Sequence, residues 1–333
     1  MAEMTNKKQK FNIREFGSKY TIYLVLLALL LVMGLLDSSF LSVVNLKNVL
    51  IIASVRAIIA LGVGGTLITR GTDLSAGRSV GLTACIAASL LQRPDYAYKL
   101  FGNLPHIPVF AVIIFVVLIG AIIGLVNGLV VAYLKVPPFI ATLGMMVIVY
   151  GIACIYTNAQ PIGGLRNDFT NVATGSLLSI PNLILIAGAV ALVMWFIYNK
   201  TRFGKYIYAI GGNPNAAEVS GVNVEKTLLK VYALAGACYG LAGALLAART
   251  GGATNNYGLM YELDAIAAAT IGGVSTTGGI GRVSGIITGV LIFEVLNNGL
   301  VILGVSPYWQ QVIKGVIIIG AVAFDIRKYL QKK

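Results

Sequence analysis

The chain has 333 residues, of which 57% are hydrophobic and 11% are charged, whereas an ordinary soluble domain is about 25% charged. Its net charge of +13 comes from 25 Lys and Arg against 12 Asp and Glu. This composition excludes a disordered chain, a disulfide scaffold and a typical soluble enzyme, and it indicates a polytopic helical membrane protein.

Ten apolar stretches are predicted to form membrane-spanning helices. They lie at 20–36, 47–69, 74–92, 108–133, 138–157, 181–198, 228–249, 262–277, 282–303 and 308–325. The first stretch has no small-residue cleavage pattern after it, so it is interpreted as a retained span and not as a signal peptide. The predicted fold class is an all-α membrane protein with one transmembrane domain at 20–325. A cytoplasmic N-terminal segment 1–19 precedes this domain, and a cytoplasmic tail 326–333 follows it.

The basic residues predict the orientation of these spans. With the N-terminus in the cytoplasm, most Lys and Arg of the connecting segments lie inside, as the positive-inside rule requires. Those in outside segments are Lys47, Arg93, Lys99, Arg166 and Arg249. Both termini are therefore predicted to be cytoplasmic. The same bias accounts for the net charge, so no nucleic-acid partner is predicted.

The two halves of the chain share short motifs. The motifs at 127–130 and 136–139 recur in the same order at 298–301 and 305–308, and they pair spans 2–5 with spans 7–10. The shift is five spans, an odd number, so the two copies have opposite topology. Inverted repeats are typical of transporters, with the path near the repeat interface. The alternative is that the shared residues form only a glycine-rich helix-packing motif.

Acidic residues open two of the predicted spans. Asp73 or Ser75 is expected to cap span 3, and Glu262 and Asp264 open span 8 in the same way. Span 8 is short and ends in a glycine-rich segment, which also indicates a translocation path or gate. Capping is favoured for Asp73, and both interpretations stay open for Asp264.

Glu294 lies in the middle of span 9, where an acidic residue costs about 2.5–3.5 kcal/mol on insertion scales. We expect it to face a water-filled path, a partner chain, or a base such as Lys314 or Arg56. A paired or neutralised structural role is favoured over a proton-carrying role. Three asparagines within predicted spans either line a polar path or form interhelical hydrogen bonds. They are Asn127, Asn297 and Asn298.

The cytoplasmic loop 199–227 is predicted to contain a short helix. Asn213 is a good N-cap, Pro214 suits the first helical position, and Gly221 is a stop signal. Such an element fits a docking site for a cytoplasmic partner. The alternative is a simple connecting helix that lies on the lipid headgroups. The predicted coupling residues are Asn213, Pro214, Ala216, Ala217, Glu218, Ser220 and Gly221.

The stretch Gly-x-Asn-Pro-x-Ala-Ala-x-x-Ser-Gly at 211–221 resembles the coupling loop of permeases from bacterial ATP-binding cassette (ABC) sugar importers, the ribose/xylose/galactose permease family. The segment 71–78 fits the same family. The segments 261–268 and 307–310 are more particular to its galactoside type. The outside loop 158–180 matches poorly, which leaves any substrate gate there in doubt.

The resemblance implies a ten-helix fold of the cobalamin-importer type (type II) in the bacterial inner membrane. It also implies a homodimer, a cytoplasmic ATPase docked on the helix at 213–221, and an extracytoplasmic binding protein that delivers a monosaccharide of the galactose or methyl-galactoside type. The chain has no Gly-x-x-x-x-Gly-Lys-Ser/Thr loop, so ATP and Mg²⁺ are expected on the partner ATPase.

No catalytic, metal or cofactor site is predicted in this chain, since no nucleophile–base or metal-ligand pattern occurs. The alternative function is a proton-coupled secondary sugar transporter that uses Glu294 or Asp264 as its proton carrier.

Overall fold

The computed structural model describes residues 13–102 and 104–330. The predicted cytoplasmic segments 1–19 and 326–333 therefore lie partly outside the described residues. Within the described part the chain folds into thirteen α-helices. They are α1 (Ile13–Leu36), α2 (Val43–Ile68), α3 (Ala76–Leu90), α4 (Val109–Ala132), α5 (Pro138–Thr157), α6 (Asn167–Thr174), α7 (Asn182–Lys200), α8 (Arg202–Gly212), α9 (Pro214–Val219), α10 (Val224–Thr250), α11 (Tyr261–Ile271), α12 (Val283–Ile302) and α13 (Pro307–Leu330).

The remaining regular structure is small. A single turn of 3-10 helix, Ser38–Leu41, follows α1, and Asp37 caps it by accepting a hydrogen bond from the Ser39 amide. Two short antiparallel strands, β1 (Ser176–Leu177) and β2 (Ile180–Pro181), form a hairpin before α7.

Each of the ten predicted apolar stretches contains a helix in the structure. Among the described residues, six helices are long and apolar enough to cross a membrane: α2, α4, α5, α7, α10 and α12. Large apolar side chains on α4, α5 and α7 are exposed, as lipid-facing helices require. The chain is therefore an all-helical, multi-pass membrane protein, and the count of ten spans stays a prediction.

The predicted span 262–277 is too long. The helix α11 has only 11 residues, which at about 1.5 Å per residue is roughly 17 Å, against a hydrocarbon core of about 30 Å. Gly272 and Gly273 end it, and the chain then turns through 274–281 before α12 begins. By its length, α11 reaches only part of the way across a bilayer.

The sequence prediction missed the helix α8 in the loop 199–227. Thr201 caps it, since its hydroxyl accepts a hydrogen bond from the Gly204 amide at 3.0 Å. Ile207 and Ile210 are buried on one face of the helix. The short helix α6 in the outside loop 158–180 was missed as well.

The helix α10 is the central element, because it packs against α2, α3, α4, α6 and α8. Its crossing with α4 depends on glycine. A Cβ atom on Gly120 would lie 2.2 Å from the Gly236 carbonyl oxygen, and one on Gly236 would lie 2.1 Å from the Gly120 carbonyl oxygen. The two backbones therefore touch, as small residues allow in membrane helix pairs.

The helix packing has an internal symmetry. The pairs α3–α10, α4–α10, α3–α4 and α3–α5 correspond to α11–α2, α12–α2, α11–α12 and α11–α13. Exchanging α2 with α10, α3 with α11, α4 with α12 and α5 with α13 therefore maps one set of packed pairs onto the other. The matched acids are not equivalent within this scheme. Asp73 precedes α3 by three residues, whereas Glu262 is the second residue of α11.

Candidate functional site

A polar cavity of about 400 Å³ lies between α2, α10, α12 and α13. Its polar wall includes Arg56, Arg249, Glu294, Asn297, Asn298 and Lys314, together with Gln310 and the segment between α10 and α11. Apolar residues of the same helices complete it, among them Ile52 and Leu246. The cavity combines hydrogen-bond donors and acceptors with apolar side chains, as small-molecule sites do.

Glu294 is paired at the wall of this cavity. Its Oε2 atom lies 2.8 Å from Nη1 of Arg56, and the glutamate side chain is 5% exposed. Neither atom makes an aligned hydrogen bond within the described residues, so the contact is an ion pair. The expectation that Glu294 faces a base is confirmed, and Arg56 on α2 is that base.

Asp264 joins the same group of charges. Its Oδ2 atom lies 3.6 Å from Nζ of Lys314 and 3.8 Å from Nη1 of Arg56. Neither acid is the N-cap residue of α11, because that position is Met260, which makes no side-chain capping bond; both acids lie in the first turn, where the helix dipole favours negative charge. A role of Asp264 in the path stays a prediction. Glu262 lies elsewhere: a Cβ atom on Gly77 would be 2.1 Å from its carboxylate, so it contacts the start of α3.

Asp73, Ser75 and Asn127 are buried and linked by hydrogen bonds, and none of them lines the cavity. Oδ1 of Asp73 accepts hydrogen bonds from the Ser75 amide at 3.0 Å and the Ser75 hydroxyl at 2.7 Å. The Asn127 amide donates to the Ser75 hydroxyl at 2.9 Å and links α4 to the start of α3. Ser75 occupies the N-cap position without a side-chain capping bond. These contacts are those of interhelical hydrogen bonding, and a role of the three residues in the path stays a prediction.

The two asparagines of α12 do line the cavity. Asn298 accepts a hydrogen bond from the Asn45 side chain at 2.9 Å and so also ties α12 to α2. The Nδ2 atom of Asn297 is buried without a hydrogen-bond partner among the described residues.

The loop between α8 and α10 has the expected local structure. Oδ1 of Asn213 accepts from the Ala216 amide at 3.1 Å, Pro214 begins α9, and the Ser220 hydroxyl donates to the Ala216 carbonyl at 2.7 Å. Gly221 has a φ of +83°, which glycine adopts without strain. The caps therefore fix a short, separate helix.

The helix α9 is anchored on one face and exposed on the other. Ala217 is buried in a small cluster with Ile210, Val222 and Val224. Glu218 is exposed, and Val219 is 91% exposed. This exposed apolar side chain beside an acid fits the predicted docking surface on α9, and its role in docking stays a prediction.

Hydrogen bonds and close backbone packing hold the end of α8 against the end of α2. Nε of Arg70 donates to the Gly211 carbonyl at 2.7 Å, and the Gly279 amide donates to the Ile68 carbonyl at 2.8 Å. A Cβ atom on Gly211 would lie 1.9 Å from the Ile68 carbonyl oxygen. We name this group, Ile68, Arg70, Gly211 and Gly279, the Arg70 junction. Sequence reasoning missed it, because a single Arg in a turn carries no local signal of its distant partner.

Residues 45–322 match a family model described as "Branched-chain amino acid transport system / permease component". The chain belongs to this permease family. It is 52% identical to the galactose/methyl galactoside import permease protein of Escherichia coli (strain K12), over 98% of the chain and 99% of that protein. It is 51% identical to the protein of the same name from Haemophilus influenzae, over 98% of each chain.

A more distant relative belongs to another sugar system. The chain is 39% identical to the ribose import permease protein of Escherichia coli (strain K12), over 92% of both chains. No solved structure matches the chain. The relatives are permease components and not catalytic subunits, so the cavity and the docking surface are features of a membrane permease.

Proposed function

We propose that this chain is the membrane permease subunit of an ABC importer that carries galactose or methyl galactoside into a bacterial cell. The observation that carries the proposal is the full-length, 52% identity to import permeases of that name. The polar cavity supports it, because Asn297, Asn298 and Gln310 offer neutral hydrogen-bonding groups suited to a sugar.

The predicted orientation of the chain would put the cavity at its extracytoplasmic side. With both termini cytoplasmic, α2 and α13 begin outside, whereas α10 and α12 end outside. The cavity is lined by residues 52–56, 246–250, 294–301 and 310–314 of these helices. All four segments belong to the predicted outer halves. A sugar delivered by an extracytoplasmic binding protein would therefore meet this cavity first.

The assembly would contain two copies of this chain with the ten-helix, type II fold. The symmetry of the packed helix pairs supports an inverted repeat of spans 2–5 and 7–10. The short helices α3 and α11, which the repeat relates to each other, lie in corresponding positions of the two halves. Short or interrupted helices in corresponding positions are typical of transport pathways.

The free energy for transport would come from a partner ATPase in the cytoplasm. That subunit would bind ATP and Mg²⁺ and dock on α9, so this chain needs no cofactor of its own. Movement of α9 would pass through α8 and the Arg70 junction to α2, whose other half carries Arg56 in the cavity wall. The partner shifts the permease between two states only through contacts that differ between them.

Reconstitution in liposomes tests this function. We expect galactose uptake to require the permease, its ATPase, its binding protein and ATP together. Uptake by the permease alone, driven by a pH gradient and unaffected by ATP, would overturn the proposal in favour of proton coupling through Glu294 or Asp264. The ion pairs of both acids argue against that alternative.

A further inference from the structure

The cavity wall carries an excess of positive charge. Arg56, Arg249 and Lys314 line it, and Glu294 is the one acid of the described residues that does so. Asp264 stands beside the cavity, close to Arg56 and Lys314. Three cations therefore face two acids, and a positive charge remains.

Arg249 carries this remaining charge. Arg56 is occupied by Glu294 at 2.8 Å, and Lys314 is within 3.6 Å of Asp264. Arg249 makes no ion pair among the described residues. It lies in the last turn of α10, where the helix dipole offsets only part of its charge.

A sugar path faces a selectivity problem that size does not solve. A water-filled cavity wide enough for a monosaccharide also admits alkali cations and protons carried by water. The negative potential inside the cell draws these cations inward, by about 2.3 kcal/mol per charge per 100 mV. Fixed positive charges at a narrow point reject cations and leave neutral solutes unaffected.

We propose that Arg249, supported by Lys314, makes this cavity an electrostatic barrier to cations, so that neutral sugar passes and the membrane stays sealed to Na⁺, K⁺ and protons. The proposal rests on the proposed function, since it requires the cavity to lie on the sugar path. In this proposal the neutral amides of Asn297 and Asn298 form hydrogen bonds with the sugar, and the basic side chains repel cations.

The test uses the complete importer in liposomes with an inside-negative potential. Cation influx (Na⁺, and protons by an internal pH dye) and galactose uptake are measured together during ATP-driven turnover. We expect Arg249→Gln to raise the ratio of cations to galactose carried by on the order of tenfold. The double variant Arg249→Gln/Lys314→Gln should raise it further. Arg249→Lys keeps the charge and should stay within about twofold of the wild type.

Two results would overturn the barrier. One is an unchanged cation influx in both Arg249→Gln and the double variant. The other is an equal rise in Arg249→Lys and Arg249→Gln, because that effect would not depend on charge. Lys99→Gln, which removes a basic side chain far from the cavity lining, controls for a general loss of surface charge. Absence of galactose uptake in the wild type would contradict the proposed function, whereas the cation influx of each variant still reports on the barrier.

Discussion

The Arg56 guanidinium on α2 lies 2.8 Å from the Glu294 carboxylate on α12, at the wall of a polar cavity. This pair explains how a membrane helix carries an acid in its middle. The partial exposure of Arg56 to the cavity reduces the desolvation of its guanidinium, and the mutual attraction of the two charges offsets the desolvation of the buried carboxylate.

Removal of Glu294 should therefore destabilise the permease. Glu294→Ala leaves Arg56 without its partner, and we expect a loss of about 1–3 kcal/mol in the free energy of unfolding. Glu294→Gln keeps a polar contact and should lose less. The double variant Arg56→Met/Glu294→Leu should recover most of the stability, because no unpaired charge remains. Unfolding in detergent gives the free energy of unfolding of each variant. A loss in the double variant equal to the sum of the losses in the two single variants would contradict the pairing.

The crossing of α4 and α10 should not tolerate a methyl group. Gly236→Ala places a Cβ atom 2.1 Å from the Gly120 carbonyl oxygen, so the helices must separate. We expect a loss of about 1–3 kcal/mol. Gly144→Ala in α5 is the matched control, since its Cβ atom meets nothing within 4 Å. The midpoint of thermal unfolding should fall for the first variant only, and equal midpoints would show that the crossing is looser than described.

The docking surface on α9 should control coupling. Glu218→Lys reverses an exposed charge, and Gly221→Ala forces an ordinary residue into a φ of +83°, at a cost of about 1 kcal/mol. Both should uncouple ATP hydrolysis from galactose uptake and leave membrane insertion intact. Gly212→Ala adds a methyl group in open space without a positive φ and should behave as the wild type. Normal coupling in both test variants would refute the docking assignment.

The Arg70 junction should transmit the docking motion. Arg70→Gln removes the hydrogen bonds to the carbonyls of Gly211 and Gly212 that fix α8 to α2. We expect the ratio of galactose carried to ATP hydrolysed to fall several-fold while the ATPase still binds, as measured by co-purification. Lys205→Gln, at an exposed residue of α8, is the control and should leave the ratio unchanged. A wild-type ratio in Arg70→Gln would exclude this route.

The stability contributed by the helix α6, in the loop predicted to lie outside, should depend on pH. The hydrogen bond from Arg166 lowers the pKa of the Asp168 carboxyl below its ordinary value, and Arg166 also donates to the Ile107 carbonyl at 2.9 Å. A lowered folded-state pKa stabilises the fold above the unfolded pKa of about 3.9, and this stabilisation is lost as the pH falls through the folded-state value.

Asp168→Asn should therefore lower the unfolding midpoint at pH 6, and the difference from the wild type should shrink towards pH 3. The effect should be small, because the aspartate side chain is 51% exposed. The rate of amide hydrogen exchange in α6 reports locally on the same contact between Arg166 and Asp168. A difference that stays constant with pH would contradict the role of the ionised carboxyl.

Local signals in the sequence predict the helices of the apolar stretches and α9 well. Apolar runs of sufficient length identify the helices, and the Asn213, Pro214 and Gly221 pattern is a complete set of caps. The helix α8 was missed, because its apolar residues are interspersed with glycines and basic residues in a segment that reads as polar. Its burial against the bundle overrides that local composition.

Contacts between distant residues were predicted only in part. The cost of an acid in a membrane predicts that Glu294 has a basic partner, and Arg56 was one of two candidates. Which base it meets depends on how α2 and α12 cross, and the sequence does not encode that crossing locally. For Asp264 the sequence leaves a cap and a path or gate role both open, whereas the structure brings its carboxylate close to Lys314 and Arg56.

The helix α10 runs without a break from the α9 side of the molecule to the cavity. It begins at the Asn223 cap beside α9 and ends at Gly251, just beyond Arg249 in the cavity wall. Its 27 residues span about 40 Å without an interruption. The close glycine contacts with α4 lie near the middle of α10, where a tilting helix would pivot. A tilt of about 3–5° imposed at the α9 end would thus displace the cavity end, about 20 Å from the pivot, by about 1–2 Å in the opposite direction.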